Sequence, residues 1–94
     1  MSMEDFRARI DVVDERLVGV LAERMALVRE VAMYKKGHGV DVHQPDRMRQ
    51  LFTRVRELGD PKGLDPDFVE QLYRDIVDEA MRIEHEVMGS GDSE

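Results

Sequence analysis

The sequence has no cysteine and no tryptophan, and aromatic residues make up only 5% of its 94 residues. Without cysteine, the chain can form neither disulfides nor thiolate metal sites, and it has no cysteine nucleophile. A core with so few aromatic side chains must be aliphatic and helical. No apolar run is long enough to span a bilayer, and the first residues lack the apolar segment of a signal peptide. These absences predict one small cytoplasmic domain.

The chain is acidic, with 21 Asp and Glu residues against 14 Lys and Arg residues and a net charge of −7. This balance argues against nucleic acid or an anionic membrane surface as a partner. His38, His43 and His85 form no HExxH motif, and no metal site is predicted. The serines lie near the chain ends and Thr53 has no evident base, so nucleophilic catalysis has little to use.

A long helix is predicted at the start of the chain. From about Glu4 to Lys36 there is no proline, and apolar residues recur every three or four positions, which places them on one helix face. This apolar stripe consists of Phe6, Ile10, Val13, Leu17, Val20, Leu21, Val28 and Val31. Ser2 and Asp5 resemble a capping box at its start, and Gly37 and Gly39 mark its end.

Two shorter helices follow a loop over residues 38–44. Pro45 suits the first position of the second helix, which closes at Gly59. The pair Asp65-Pro66 is a strong start for the third helix, because Asp is a good N-cap and Pro is favoured at the first helical position. The apolar face of this third helix continues to Val87.

The predicted first helix is too long for a compact monomer of this size. About 30 helical residues extend about 50 Å, whereas a compact chain of this length has a radius of gyration of about 12 Å. One end of the apolar stripe would therefore be exposed to water unless a second copy covered it. We predict an all-α protomer of three helices (long, short and medium) that forms an intertwined homodimer. The domain spans residues 1–88, and residues 89–94 form a disordered tail.

Three cations, Arg7, Arg24 and Lys35, interrupt or border the apolar stripe. A cation on a buried face is costly unless an anion meets it. Such side chains can reach solvent or pair with acids elsewhere in the fold, but three on one helix favour an anion site. Arg47 lies at the start of the second helix and Glu84 on the apolar side of the third. Together they suit a small dianion and catalysis by orientation and electrostatics.

A longer motif extends over residues 5–88. It consists of Arg7-x-x-Ile10-x-x-x-Asp14-x-x-Leu17, Leu21-Ala22-Glu23-Arg24, Val31-x-x-x-Lys35, Asp46-Arg47 and the helix from Ile76 to Glu84. This pattern resembles the all-helical chorismate mutase family. The resemblance implies an isomerase of shikimate-derived metabolism that acts on a small dicarboxylate. Its reaction is a Claisen rearrangement, which needs no cofactor.

The resemblance also implies a role for each cation. Arg24, together with Arg7 of the partner subunit, would bind the two carboxylates of the substrate. Lys35 and Glu84 would be the catalytic residues, which hydrogen-bond the ether oxygen as its bond to carbon breaks. Arg47 would help to close the pocket. Some small mutases of this family depend on a larger synthase, so the sequence leaves such a partner open.

Four positions depart from the common bacterial pattern of the family. Position 84 is usually Gln, and Glu84 can donate to the ether oxygen only when it is protonated, so activity is expected to fall as pH rises. Position 80 is usually Ser near a substrate carboxylate, and Ala80 lacks that hydrogen bond. Gln44 and Met48 replace two acidic residues, the second of which accepts from the hydroxyl group at C4 of the substrate. The pocket around C4 is therefore expected to differ.

Residues in two segments, 38–47 and 82–84, resemble one subgroup of this family. The residues concerned are His38-Gly39-Val40, Gln44-Pro45, Arg47 and Arg82-Ile83-Glu84. They are similar to the 4-amino-4-deoxychorismate mutases of antibiotic biosynthesis, whose substrate carries an amine in place of the C4 hydroxyl. Rearrangement to 4-amino-4-deoxyprephenate is therefore our first expectation. Chorismate mutase, isochorismate-pyruvate lyase and a non-catalytic helical dimer are the alternatives.

Overall fold

The computed structural model describes residues 1–90 and contains three α-helices. They are α1 (Met3–His38), α2 (Pro45–Gly59) and α3 (Pro66–Ser90), with a short 3-10 helix (Asp60–Lys62) between α2 and α3. No β-strand occurs in this part of the chain, and the predicted all-α protomer with its long, short and medium helices is confirmed. Helix α3 continues two residues beyond the domain boundary predicted at residue 88, and residues 91–94 of the predicted tail lie outside the described residues.

The ends of α1 are set by local chemistry. The Asp5 backbone N–H donates to the Ser2 hydroxyl (3.2 Å), and the Ser2 backbone N–H donates to the Asp5 carboxylate (3.0 Å), so the predicted capping box is present. These bonds from Ser2 lower the pKa of Asp5. At the other end, Gly39 adopts a left-handed conformation with φ of 67°, which costs glycine little. The prediction that Gly37 also ends the helix was wrong, because Gly37 lies inside the last turn.

Helix α3 contacts both of the other helices. It is parallel to α1, as two contacts show. Arg24 of α1 lies near Tyr73 of α3. Farther along both helices, Lys35 of α1 bonds to Glu84 of α3.

Helix α3 is antiparallel to α2. Phe52 of α2 lies beneath Arg74, whereas Arg56, farther along α2, pairs with Glu70, which is earlier on α3. The buried aliphatic core lies among the three helices and consists of Ala32, Val55, Val69, Ile76, Val77, Ala80 and Ile83.

The first half of α1 lies outside this core. Ile10, Val13 and Leu17, which belong to the predicted stripe, are 56%, 50% and 54% exposed. The long dimension of the described chain is 58 Å, and its radius of gyration is 16.9 Å, against about 12 Å for a compact chain of this length. The predicted overhang of α1 is thereby confirmed. No helix within residues 1–90 is both long and apolar enough to cross a membrane.

Candidate active site

A cleft of about 260 Å³ lies between the second half of α1, the start of α2 and the second half of α3. It brings together seven of the eight residues predicted to form the site. These are Arg24, Lys35, Gln44, Arg47, Met48, Ala80 and Glu84. The eighth, Arg7, is exposed on the overhang of α1. It precedes Arg24 by 17 positions, which places it about 25 Å away along the helix axis.

Helical spacing explains why these side chains converge. Positions 24, 28, 31 and 35 share one face of α1, and positions 77, 80, 81 and 84 share one face of α3. Because α2 begins at Pro45, positions 47, 48 and 51 in its first two turns reach the same cleft from a third side. The other six lining residues are all apolar: Val28, Val31, Val42, Leu51, Val77 and Met81.

None of these six residues was predicted from the sequence as a site residue. Val28 and Val31 were predicted only as part of the apolar stripe of α1. Met81 precedes Glu84 by three positions on α3, so helical spacing alone could have indicated it. Val42 belongs to the loop after α1, and no periodic pattern reaches it. Its position in the cleft depends on how the loop folds back between α1 and α2.

Lys35 and Glu84 form an ion pair inside the cleft. The ammonium of Lys35 donates to the Glu84 carboxylate over 2.8 Å, and the two side chains are only 14% and 10% exposed. Arg24 and Arg47 differ, because no carboxylate among residues 1–90 lies within 4.0 Å of either guanidinium. With its three cations and one carboxylate, the cleft has a formal charge of +2. This charge is opposite and equal to that of a dicarboxylate.

Arg24 has an aromatic neighbour instead of an acidic one. Its guanidinium lies over the ring of Tyr73, 5.7 Å from the ring centroid, within the range of a cation–π interaction. Both side chains are half-buried. The sequence did not predict this contact, because it joins residues on two different helices.

The loop before α2 orients the amide of Gln44. The Gln44 Nε2 donates to the backbone carbonyl of Asp41 over 3.3 Å, and the Asp41 carboxylate accepts from the backbone N–H of His43 over 3.0 Å. A carbonyl can only accept, so this contact requires the amide nitrogen of Gln44 and leaves its amide oxygen free to accept elsewhere. Met48, one turn further on, is half-buried and offers only a thioether.

Outside the cleft, Glu70 connects α2 and α3. Its carboxylate accepts from Arg56 (2.9 Å) and from Arg74 (2.6 Å), and these bonds lower the pKa of Glu70. The acidic side of α3 is therefore not only solvated, because Glu70 and Asp67 pair with Arg56 across helices. Within residues 1–90, no group of three or more His, Asp or Glu side chains could hold a metal ion.

The comparison with known families identifies this arrangement. Residues 6–85 match the family described as Chorismate mutase type II. The chain belongs to this family. The resemblance predicted from the motif is confirmed, and with it the prediction of an isomerase of the chorismate mutase type.

Three relatives illustrate the range of the family. A 4-amino-4-deoxychorismate mutase of Streptomyces pristinaespiralis is 32% identical over 89 residues, which cover 95% of this chain and 69% of the relative. A 4-amino-4-deoxychorismate mutase of Streptomyces venezuelae is 34% identical over 86 residues, covering 92% and 84%. A bifunctional chorismate mutase/prephenate dehydratase of Escherichia coli is 33% identical over 75 residues, which cover 80% of this chain but 19% of that protein.

Proposed function

We propose that this protein converts 4-amino-4-deoxychorismate to 4-amino-4-deoxyprephenate. The observation that carries the proposal is a cleft with a formal charge of +2 in which Gln44 and Met48 stand where the family has acids. In this rearrangement the ether C–O bond breaks as a new C–C bond forms, and no atom is gained or lost. The protein therefore has to orient one molecule and stabilise the charge that develops on its ether oxygen.

The unpaired guanidinium of Arg24 is the proposed ligand of one substrate carboxylate, because its donors are not engaged by any acid of residues 1–90. A guanidinium binds a carboxylate through two parallel hydrogen bonds, which fixes direction as well as charge. Arg47 lies at the rim of the cleft, where it is exposed and closes the site over the bound molecule. The apolar lining holds the enolpyruvyl arm over the ring and excludes water.

Lys35 and Glu84 are the proposed catalytic residues at the ether oxygen. Lys35 donates to the oxygen as negative charge develops on it. Glu84 donates to the same oxygen in its protonated form. Only the protonated carboxyl has a proton to donate, so the reaction should be faster at mildly acid pH than at alkaline pH.

The proposed substrate has an amine at C4, and Gln44 supports this choice. Its amide nitrogen is engaged by Asp41, so its amide oxygen is available to accept an N–H of a neutral amine. Met48 has a thioether, so it places no carboxylate beside that amine. The family relatives from the two Streptomyces species are named for the amino substrate, which is the second support for the proposal.

A turnover assay tests the substrate. Purified protein is given 4-amino-4-deoxychorismate, chorismate and isochorismate side by side, and pyruvate release is followed in parallel. The proposal expects the highest kcat/KM with the amino substrate and no pyruvate. Preference for chorismate would contradict it and favour the alternative that the bifunctional relative of Escherichia coli supports. Pyruvate from isochorismate would indicate a lyase, and no turnover would indicate a non-catalytic dimer or the need for a larger synthase.

The proposed assembly is an intertwined homodimer in which α1 of one protomer covers the other. The exposed stripe on the first half of α1 is one apolar surface that needs a partner. A second apolar surface lies where α2 ends and α3 begins, and it consists of Leu58, Leu64, Phe68 and Leu72. Two-fold pairing would bury both, and it would bring Arg7 of the partner subunit to the cleft as the ligand of the second carboxylate.

Mixing two inactive variants tests this assembly. Arg7→Ala and Arg24→Ala should each abolish turnover in a homodimer. In a mixed dimer, one cleft carries both substitutions and the other carries neither. Coexpression at equal levels should therefore restore about a quarter of the wild-type activity, because half of the dimers are mixed and half of their sites are intact. No recovery from dimers verified to be mixed would contradict the contribution of Arg7 across the interface.

A further inference from the structure

Arg24 has to be held in place without being neutralised, and Tyr73 is suited to that task. The guanidinium lies 5.7 Å from the centroid of the ring. An aromatic face attracts a cation through its quadrupole but carries no oxygen that would accept the guanidinium N–H groups in its plane. The donors of Arg24 therefore stay available to a carboxylate, which an acidic neighbour would prevent.

A second arginine, Arg74 of α3, is also supported by an aromatic ring, but it has an acidic neighbour as well. Arg74 lies over the ring of Phe52 at 4.5 Å. Its Nε and Nη2 both donate to Glu70, over 3.1 and 2.6 Å. Arg74 is thus held by a ring and by an acid, so its donors on that side are used within the protein. The difference between the two arginines is the acid, and the one without it faces the cleft.

We propose that Tyr73 is a positioning residue for substrate binding, which supports the guanidinium of Arg24 in the cleft without touching the substrate. This inference rests on the proposed role of Arg24 as a carboxylate ligand. Tyr73 also borders an apolar hollow of about 160 Å³ at the junction of α2, the 3-10 helix and α3. Without the ring, the guanidinium of Arg24 loses the cation–π contact that holds it at the cleft.

The test compares Tyr73→Leu, Tyr73→Phe and the matched control Phe52→Leu. The control also removes an aromatic ring from beneath an arginine, but outside the cleft. The first readout is the dissociation constant of a bicyclic ether dicarboxylate that mimics the rearrangement transition state, measured by calorimetry. Tyr73→Leu should weaken binding about three- to tenfold, whereas Tyr73→Phe and Phe52→Leu should bind as the wild type does.

The second readout separates positioning from general damage. Arg24 holds the carboxylate before and during the reaction. Tyr73→Leu should therefore raise KM by about the same factor as the dissociation constant of the bicyclic dicarboxylate, and it should change kcat little. Equal effects of Tyr73→Leu and Phe52→Leu on the dissociation constant of the bicyclic dicarboxylate would overturn the inference. So would a loss in Tyr73→Phe as large as that in Tyr73→Leu, since the hydroxyl would then be the important group.

If Tyr73→Leu does not fold, Tyr73→Met takes its place, because an unbranched thioether fills more of the ring's volume. The inference and the proposed function fail in different measurements. The proposed function fails when the wild type prefers a substrate other than 4-amino-4-deoxychorismate. The inference fails when Tyr73→Leu binds the bicyclic dicarboxylate no more weakly than Phe52→Leu does.

Discussion

The two halves of α1 follow one apolar pattern but lie in different surroundings. In the second half, Ala32 is buried, Arg24 and Lys35 face the cleft, and Lys35 bonds to Glu84 of α3. In the first half, residues of the same stripe such as Val13 are about half exposed or more, and Arg7 has no carboxylate of residues 1–90 within 4.0 Å. A continuous helix thus serves the core of its own chain at one end and offers an apolar surface at the other.

Under the proposed function, this difference explains why one chain alone would not complete the site. In that proposal the cleft supplies the half-buried Arg24 to one substrate carboxylate, while Arg47 lies exposed at the rim, so the second carboxylate still needs a ligand. The first half of α1 carries the remaining predicted arginine on the part of the helix that the core leaves uncovered. Under the proposed assembly, the surface that lacks a neighbour and the cleft that lacks a ligand complete each other.

The largest effect is expected where the second half of α1 meets the substrate. Arg24→Ala should lower kcat/KM at least about a hundredfold, because two charge-assisted hydrogen bonds to a carboxylate are lost. The folded dimer should persist, as judged by circular dichroism and sedimentation. Arg29→Ala is the control on the same helix, since Arg29 is exposed and pairs with Glu86. Unfolding of Arg24→Ala would instead assign this cation a structural role.

The first half of α1 can be tested by placing a charge on its stripe. Val13→Glu should separate the protomers and lower turnover at least about tenfold, because a buried unpaired carboxylate costs about 3 kcal/mol. Met33→Glu is the control in the second half, where Met33 is 67% exposed and lies off the stripe. Sedimentation velocity gives the oligomeric state of both. A dimeric, active Val13→Glu would break the contrast between the two halves.

A smaller effect is expected at Glu84, which faces Lys35 and Arg24 from α1 and Arg47 from α2. Because the protonated carboxyl is the proposed donor, kcat/KM of the wild type should fall as pH rises, by at most about tenfold per pH unit. Glu84→Gln donates at every pH and should flatten that profile. A wild-type profile that is already flat between mildly acid and alkaline pH would refute this role.

The smallest effect concerns stability rather than catalysis. Arg74 and Arg56 hold the pKa of Glu70 below its usual value of 4.5. The stabilisation is therefore fully present above that value and is lost as pH falls through the lowered pKa. Glu70→Gln should lower Tm at neutral pH and match the wild type in strong acid. The exposed Glu86→Gln, whose contact with Arg29 is longer at 3.5 Å, should change Tm less, and an equal loss would contradict the role of Glu70 between helices.

Several elements were predicted well because they depend on neighbours in sequence. The capping box at Ser2 and Asp5 and the start of α2 at Pro45 occur as predicted. The end of α1 was placed two residues early, because Gly37 is tolerated in the last turn and only Gly39 takes the left-handed conformation. Glycine permits such a conformation without requiring it, so its position alone does not determine where a helix stops.

The sequence by itself determined the three helices, the apolar stripes and the placement of cations on them, because helical periodicity and capping act over three to four residues. Only the tertiary structure decided that Lys35 meets Glu84, that Arg24 rests on Tyr73 and that Arg56 pairs with Glu70. Each contact joins residues on different helices, so it depends on how the helices cross and on their relative height. Packing of the aliphatic core sets that geometry, and no local pattern encodes it.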